Sequence, residues 1–371
     1  MSARPTLVVF LGGLGASPVE RVVNAARTAA ALDCIEAALA TRVFGDAILA
    51  TDDASLRADL PNVTLDLDQE PFRFGHRLAG VIRRHHIESV VYMSGGSVPL
   101  FKEDDFAELA RALKRDGTAV TNNTFSSDLV AFPVDGTIFP AVESLARDNG
   151  LARALAEGTG LTLQELPRSL TTQMDIDAPS DLAVLSLAGL GGQRLRAHLH
   201  ALDLDLSRYR RVLALFLDTN AQIVVAGRVG SLAWRYLERE TACRVRMFAE
   251  ERGLEAEGRW QDGTARSLLG FYLESVGTDR FFTALAELGD AAFIDTRVLL
   301  AHMRIDANRE DRFLSDLGRW QEVSEPFLHE FTQAACETSI PVLLGGHSLV
   351  SGGLMALNEF AWAESEAAPS G

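Results

Sequence analysis

Asp175 and Asp177 are two carboxylates on alternate residues of the segment Met174-Asp175-Ile176-Asp177-Ala178-Pro179-Ser180-Asp181-Leu182. Alternate residues of an extended strand project from the same face, so both acids would address one point. Pro179 must end a ladder there, and Ser180 or Asp181 is suited to cap the helix that follows. Mg²⁺ takes such paired hard oxygen donors from a protein when nucleotide phosphates supply the rest of its coordination. Asp175 and Asp177 are therefore the candidate metal ligands. Taken alone, the segment has a second reading as an Asp-rich turn between a strand and a helix.

The elements that would position these acids are visible upstream. Thr6–Leu11 is a continuous apolar run of buried-strand type and passes into Gly12-Gly13-Leu14-Gly15-Ala16-Ser17-Pro18. Glycines in such a loop let backbone N–H groups approach an anion closely. A helical pattern through Cys34, Ile35, Ala38 and Leu39 precedes a second strand over residues 47–52. A third strand, 87–93, runs into Ser94-Gly95-Gly96-Ser97-Val98-Pro99-Leu100. Strands alternating with helices predict an α/β fold, a mostly parallel sheet with helices on both faces and a ligand crevice at the strands' carboxyl ends.

This order of elements resembles the MobA-like nucleotidyltransferases, the group that includes molybdenum-cofactor guanylyltransferases and the phospholactate guanylyltransferases of deazaflavin-cofactor synthesis. The resemblance covers residues 5–185, about half the chain. It implies a GT-A-like, Rossmann-like N-terminal domain that takes an NTP as substrate with Mg²⁺. Leu11, Gly12, Gly13 and Gly15 match the loop for the nucleotide phosphates. The turn Ser94, Gly95, Gly96, Ser97 with Pro99 and Leu100 is similar to the family's central Gly-Asp-x-Pro-Leu turn. Asp175-Ile176-Asp177-Ala178-Pro179 is similar to the element that closes the last strand. His76 and Arg77 fall in the region that lies near the nucleobase, as base or ribose contacts or as ordinary polar residues of a helix start. The stretch 125–132 stands where a strand borders the acceptor pocket, and Asn122, Asn123 and Ser126 flank it with groups that read donors and acceptors.

Two departures bear on the chemistry. The first loop continues with Ala16-Ser17-Pro18-Val19-Glu20-Arg21 in place of a Ser-x-Arg-Met-Gly-like segment, which leaves Arg21 and Arg27 as the nearby cations for a triphosphate. Gly95-Gly96-Ser97 also stands where a carboxylate is expected. Asp175 and Asp177 would then hold one ion themselves, or Asp52 and Asp53 would contribute from the second strand. Alternatively, the half keeps the fold and binds a nucleotide or sugar without transferring it.

The length of 371 residues and the 47% apolar content suit two domains, 1–188 and 189–371, parted at the glycine-rich segment 187–192. A net charge of −16 has the wrong sign for a nucleic-acid or anionic-membrane binder. No run reaches the length of a membrane span, and residues 1–5 lead directly towards a strand rather than through a signal peptide. Cys34, Cys243 and Cys336 lie far apart without metal-ligand spacing and read as small buried hydrophobes of a cytoplasmic protein.

The second half alternates again. Residues 193–211 read as one or two short helices and 234–240 as another. Apolar runs at 221–226, 243–248, 291–294 and 340–344 end in Gly227-Arg228, Glu250-Glu251-Arg252, Asp295-Thr296-Arg297 and Gly345-Gly346-His347-Ser348. In an open parallel sheet those ends converge on one crevice. Arg228, Arg252 and Arg297 offer planar forks for carboxylate or phosphate, and Glu250, Asp295, His302, His347 and Ser348 complete the candidate set. The alternative is that each arginine pairs with a neighbouring acid. His347 is a candidate acid, base or ligand contact; Ser348 lacks a Gly-x-Ser-x-Gly elbow and is a poor nucleophile. His85-His86 reads as a helix end, and the charged stretch 306–316 as a solvated face or a closing loop.

The leading expectation is Mg²⁺-dependent nucleotidyl transfer from an NTP to a small phosphorylated or acidic acceptor. The alternatives are a degenerate scaffold with phospho-metabolite binding or catalysis in the second crevice, and a non-catalytic interaction protein that forms a homodimer.

Overall fold

The computed structural model describes residues 4–56, 61–68, 72–115, 117–253 and 258–367. The chain divides into two compact units. One comprises Met1–Leu14, Asn24–Gln173 and Gly191–Leu195, the other Gly15–Val23, Met174–Leu190 and Arg196–Gly371. Within the second unit Ser348 Oγ accepts from the Asp175 N–H at 3.1 Å, and His198 Nε2 meets the Val22 carbonyl at 3.3 Å.

The first unit is built on seven strands: β1 Thr6–Leu11, β2 Ala47–Thr51, β3 Val63–Leu67, β4 Ser89–Ser94, β5 Thr118–Thr121, β6 Leu129–Pro133 and β7 Thr162–Glu165. Their order is β3-β2-β1-β4-β6-β5-β7, and every neighbouring pair is parallel except those that β6 makes with β4 and β5. Alternation along β1 divides its side chains between two cores. Leu7, Val9 and Leu11 pack with Cys34, Ile35, Phe106 and Leu109 on one face; Val8 and Phe10 pack with Phe74, Leu78, Ile138 and Leu155 on the other. Helices thus cover both faces, which is why β1, β2 and β4 read as continuous apolar runs rather than alternating ones. Cys34 sits inside the first core, and burial, helped by Asp33, pushes its thiol up to about 12.

Gly75, in the helix Phe74–Arg84, lies against a backbone carbonyl: a Cβ there would stand 2.0 Å from the Val142 oxygen. The same helix carries Arg77 inward. Its Nε meets Asp68 at 2.7 Å, and its NH1 and NH2 meet the Asp66 carboxylate and carbonyl at 2.8 and 2.7 Å. His85 Nε2 joins Asp66 at 2.6 Å, so this helix end is tied into the buried cluster rather than simply exposed.

The second unit holds a four-stranded, all-parallel sheet of β8 Gln222–Gly227, β9 Arg244–Ala249, β10 Ala291–Asp295 and β11 Val342–Gly345, in the order β11-β10-β8-β9. The helices Gln193–His200, Ser207–Leu217 and Ser231–Glu240 form as the sequence predicts. The charged stretch 306–316 does not form a solvated face. It contains the helix Arg309–Asp316, in which Asp311 and Asp316 are buried and Asp311 accepts from the Ser324 and Glu325 N–H groups.

The segment around Asp175 forms no sheet strand, only an isolated bridge at that residue. The backbone N–H groups that a ladder would use are taken by side chains. Ser348 Oγ accepts from Asp175, and Asp181 Oδ2 accepts from Asp177 at 2.9 Å and Ala178 at 2.8 Å. Asp181 thereby opens the helix Pro179–Leu187 from its third position. The expected strand at 125–132 likewise starts only at Leu129, and Phe125 is exposed.

Among the described residues no helix is long and apolar enough to cross a membrane.

Candidate functional sites

Each sheet has a point at which strand order reverses, the position outside the strands' carboxyl ends where open α/β sheets bind ligands. In the first unit the reversal lies between β1, which continues to β2 and β3 on one side, and β4 on the other. Gly12 and Gly13 follow β1, and Gly95 and Gly96 follow β4. The Gly95 N–H donates to the Phe10 carbonyl at 2.8 Å, and a Cβ at Gly95 would stand 2.4 Å from Leu11 Cδ1, so the two turns close on each other only because Gly95 is bare. Ser97 is buried and donates to the Ser94 and Asp128 carbonyls, which makes its hydroxyl part of the turn's frame.

The loop after β1 is already occupied by an acid. The Gly13 N–H donates to both carboxylate oxygens of Asp52, at 3.0 and 3.1 Å, from the end of β2. Arg27 reaches the Gly12 carbonyl at 3.4 Å. Further along, Ser17 and Glu20 form a reciprocal capping box at the start of the helix Pro18–Ala40, and Arg21 donates to the Ala16 carbonyl. Gly15 has φ +129°, and a Cβ there would strike the Glu20 carboxylate.

The other candidates of this unit separate by burial. His76 is exposed on its helix, whereas Arg77 is enclosed by Asp66 and Asp68 and is a framework residue rather than a base contact. Asn122 is buried; its Oδ1 accepts from the Asp128 and Leu129 N–H groups, and Asn123 Oδ1 accepts from Phe125. Ser126 Oγ accepts from Asn149. These side chains shape the loop before β6.

In the second unit the reversal lies between β8 and β10. Arg228, the first residue past β8, meets Asp295, the last of β10, with Nε to Oδ2 at 2.6 Å and NH2 to Oδ1 at 3.1 Å. The Arg228 N–H also donates to Asp295 Oδ2, at 3.3 Å. Burial alone would raise the Asp295 carboxyl, but Arg228, with lesser help from His347 and Arg297, holds it below the usual range. His347, past β11, is half-buried; burial and then the Arg228 and Arg252 charges push it down to about 3, against an opposing pull from Asp295. Its Nδ1 lies 3.4 Å from Ser351 Oγ. Arg252 leans on Gly230, where a Cβ would stand 3.1 Å from its NH1.

The rest of the predicted crevice set is directed elsewhere. Arg297 forks onto Asp316, so it pairs across to another helix. Glu250 accepts from Ser267 Oγ at 2.6 Å, and its N–H closes on the Gly227 carbonyl at 2.7 Å. His302 is buried with Nδ1 accepting from the Ser267 N–H and Nε2 3.4 Å from Glu274. Ser348 is 1% exposed and its hydroxyl bridges the N–H and carbonyl of Asp175, which rules it out as a nucleophile.

Asp175 is half-buried and Asp177 exposed. Among the described residues no group of three or more His, Cys, Asp or Glu side chains could hold a metal ion. Two carboxylates still suit Mg²⁺ where phosphates and water complete the shell. Ser351 has a contact to His347 that the sequence did not single out, whereas Asp52, an alternative metal ligand in the sequence, meets the Gly13 N–H. The signal for Asp52 was an acid at the end of the strand beside β1.

No family model matches the chain, and no curated protein matches it. Solved structures do. A protein from Desulfovibrio desulfuricans G20 described as a nucleotide-diphospho-sugar transferase is similar over 53% of this chain and 94% of its own, at 14% identity and TM-score 0.41. A cytidylyltransferase from Leptospira borgpetersenii is similar over 50% and 85%, at 13% identity and TM-score 0.37. The 4-diphosphocytidyl-2C-methyl-D-erythritol synthase from Anaerococcus prevotii is similar over 48% and 95%, at 11% identity and TM-score 0.33.

Proposed function

We propose that the first unit binds a nucleoside triphosphate at the β1/β4 reversal and supports Mg²⁺-dependent transfer of its nucleotidyl group to a small phosphorylated or acidic acceptor. The observation that carries this reading is the reversal itself, with a glycine turn on each side and Gly95 fixed there by its approach to Leu11. Backbone amides of such turns receive phosphate oxygens. An acceptor phosphate or carboxylate oxygen attacks the α-phosphorus, the bond to the bridging oxygen breaks, and pyrophosphate leaves. An anionic acceptor needs no general base. Mg²⁺ bound with the nucleotide would offset charge at the α-phosphate.

The test is thermal unfolding of the full chain against the NTPs, with and without Mg²⁺. The expected result is a metal-dependent rise in midpoint with one or more NTPs. No response to any NTP removes the function.

A second reading, nucleotide binding without transfer, is favoured by the Asp52 carboxylate on the Gly13 N–H and by the lack of an acid in Gly95-Gly96-Ser97. Product analysis separates the two: pyrophosphate release in the presence of phosphorylated acceptors supports transfer.

A further inference from the structure

Inside the second unit, the last turn of the helix Ser231–Glu240 meets the helix Leu354–Ala367. The Glu240 carbonyl, left without an intrahelical partner at the helix end, accepts from Asn358 Nδ2 at 3.1 Å and from Trp362 Nε1 at 2.9 Å. Asn358 Nδ2 also donates to the Tyr236 hydroxyl at 3.1 Å, and that hydroxyl lies 3.5 Å from Glu359 Oε1. Asn358, Trp362 and Glu366 follow one another at helical four-residue spacing, so one face of the helix carries all three; Tyr236 and Glu240 share a face of the other helix in the same way. Between them lies an open cleft of about 630 Å³, lined by the Tyr236 and Trp362 rings, the carboxylates of Glu240, Glu359 and Glu366, and the Arg239 guanidinium. Among the described residues Arg239 pairs with none of these acids. Three carboxylates and one guanidinium leave two excess negative charges. Burial, opposed by the Tyr236 hydrogen bond and aided by the Glu240 charge, raises the Glu359 carboxyl above its usual range.

We propose that this cleft binds a small aliphatic amine in its protonated form, with a diammonium ion matching the two excess charges. The Trp362 ring is 40% exposed while its Nε1 bond fixes its orientation, so it presents an ordered aromatic surface to an ammonium group and to the methylenes beside it. The carboxyl end of the helix Ser231–Glu240 adds partial negative charge at the same place. Asn358, in the wall of the cleft, is 1% exposed, and its Oδ1 has no hydrogen-bond partner among the described residues. A buried amide oxygen of this kind is an acceptor suited to an N–H donor. An anion would meet three acids here, and an uncharged apolar ligand would leave their repulsion unrelieved. Acids that served solubility alone would have no use for two ordered rings and a lone acceptor between them.

The experiment is calorimetric titration of the full chain with cadaverine near neutral pH at fixed ionic strength, with pentanediol as the uncharged arm and glutarate as the anionic arm. Saturable binding of the diamine alone is expected, weakened about two- to fivefold in Glu359→Gln and by a similar factor in Trp362→Leu, the scale of one surface ion pair or one exposed cation–π contact. Glu366→Gln, on an exposed side chain, provides a further route should Trp362→Leu fold poorly. In parallel, the indole N–H resonance that disappears in Trp362→Leu is expected to be the one that shifts as cadaverine is added. Equal saturation by pentanediol or by glutarate overturns the ammonium assignment. Binding unchanged in the folded variants, the same weakening in Glu108→Gln, an exposed acid of the first unit, or no saturation up to about 10 mM overturns the site.

Discussion

Arg228 and Asp295 form a two-pronged ion pair across the carboxyl ends of neighbouring parallel strands, with contacts of 2.6 and 3.1 Å and a third bond from the Arg228 N–H. The carboxylate side chain is fully enclosed. The pair therefore fastens β8 to β10 at the sheet's rim.

Removing one member of such a pair leaves the other buried and uncompensated. Asp295→Ala is expected to destabilise the second unit by about 3 kcal/mol, and the double change with Arg228→Met by less than the sum of the singles. A double-mutant cycle by urea unfolding checks this. Additive single effects would mean that the two side chains do not depend on one another.

Acid stability follows from the same cluster. His347 is held near 3 when folded and titrates near 6.5 when unfolded, so the unfolded chain takes up a proton first as pH falls. Its contribution is complete above pH 6.5 and declines towards pH 3. Asp295, whose carboxyl is lowered, adds stability that is present above the usual carboxylate range and is lost as pH falls through its depressed value. The expected outcome is stability that rises with pH between about 3 and 6.5, with a shallower slope in His347→Gln. A His347 imidazole that titrates at 6.5 by NMR in the folded chain contradicts the arrangement.

Asp52 gives a test of the first unit. If its carboxylate competes with phosphate for the Gly13 N–H, Asp52→Ala should tighten NTP binding by a factor of about three to ten, the scale of one modest electrostatic interaction near a surface. If Asp52 instead shares a metal ion with the nucleotide, the same change should weaken binding. Competition calorimetry with and without Mg²⁺ distinguishes the signs.

Thiol reactivity reports on the cores. Cys34 is enclosed beneath the seven-stranded sheet with its thiol raised to about 12, Cys243 is buried and raised by desolvation, and Cys336 is half-buried. At pH 8 Cys336 is expected to react first with an aromatic disulfide reagent, while Cys34 waits for unfolding. Prompt reaction at Cys34 would mean that the core around β1 opens far more readily than its burial implies.

The central strands were legible because they are apolar on both faces. Runs such as Thr6–Leu11 and Ala291–Asp295 need no alternation to be recognised, and the glycines after them mark the rim. What misled was local polar chemistry. Asp175-Ile176-Asp177 has strand-like alternation, but Ser348 and Asp181 supply acceptors for its N–H groups from elsewhere, and no ladder forms. Arg228 is the first residue past β8 and Arg297 the second past β10, yet only Arg228 faces Asp295 with its fork, because Asp316 reaches Arg297 from a helix whose acids read as solvated. Spacing along a chain identifies which groups arrive at an edge; it carries no information on which distant acid claims each arginine.

Gly227 sets a condition on how this protein can change. Every other amino acid carries the one atom that Asp295 does not tolerate there, so no stepwise route through a larger residue at that position keeps the Arg228 fork in place. Because the clash is with Asp295 Cβ, an atom that any replacement except glycine also carries, descendant sequences should retain Gly227 even where the acid itself is lost.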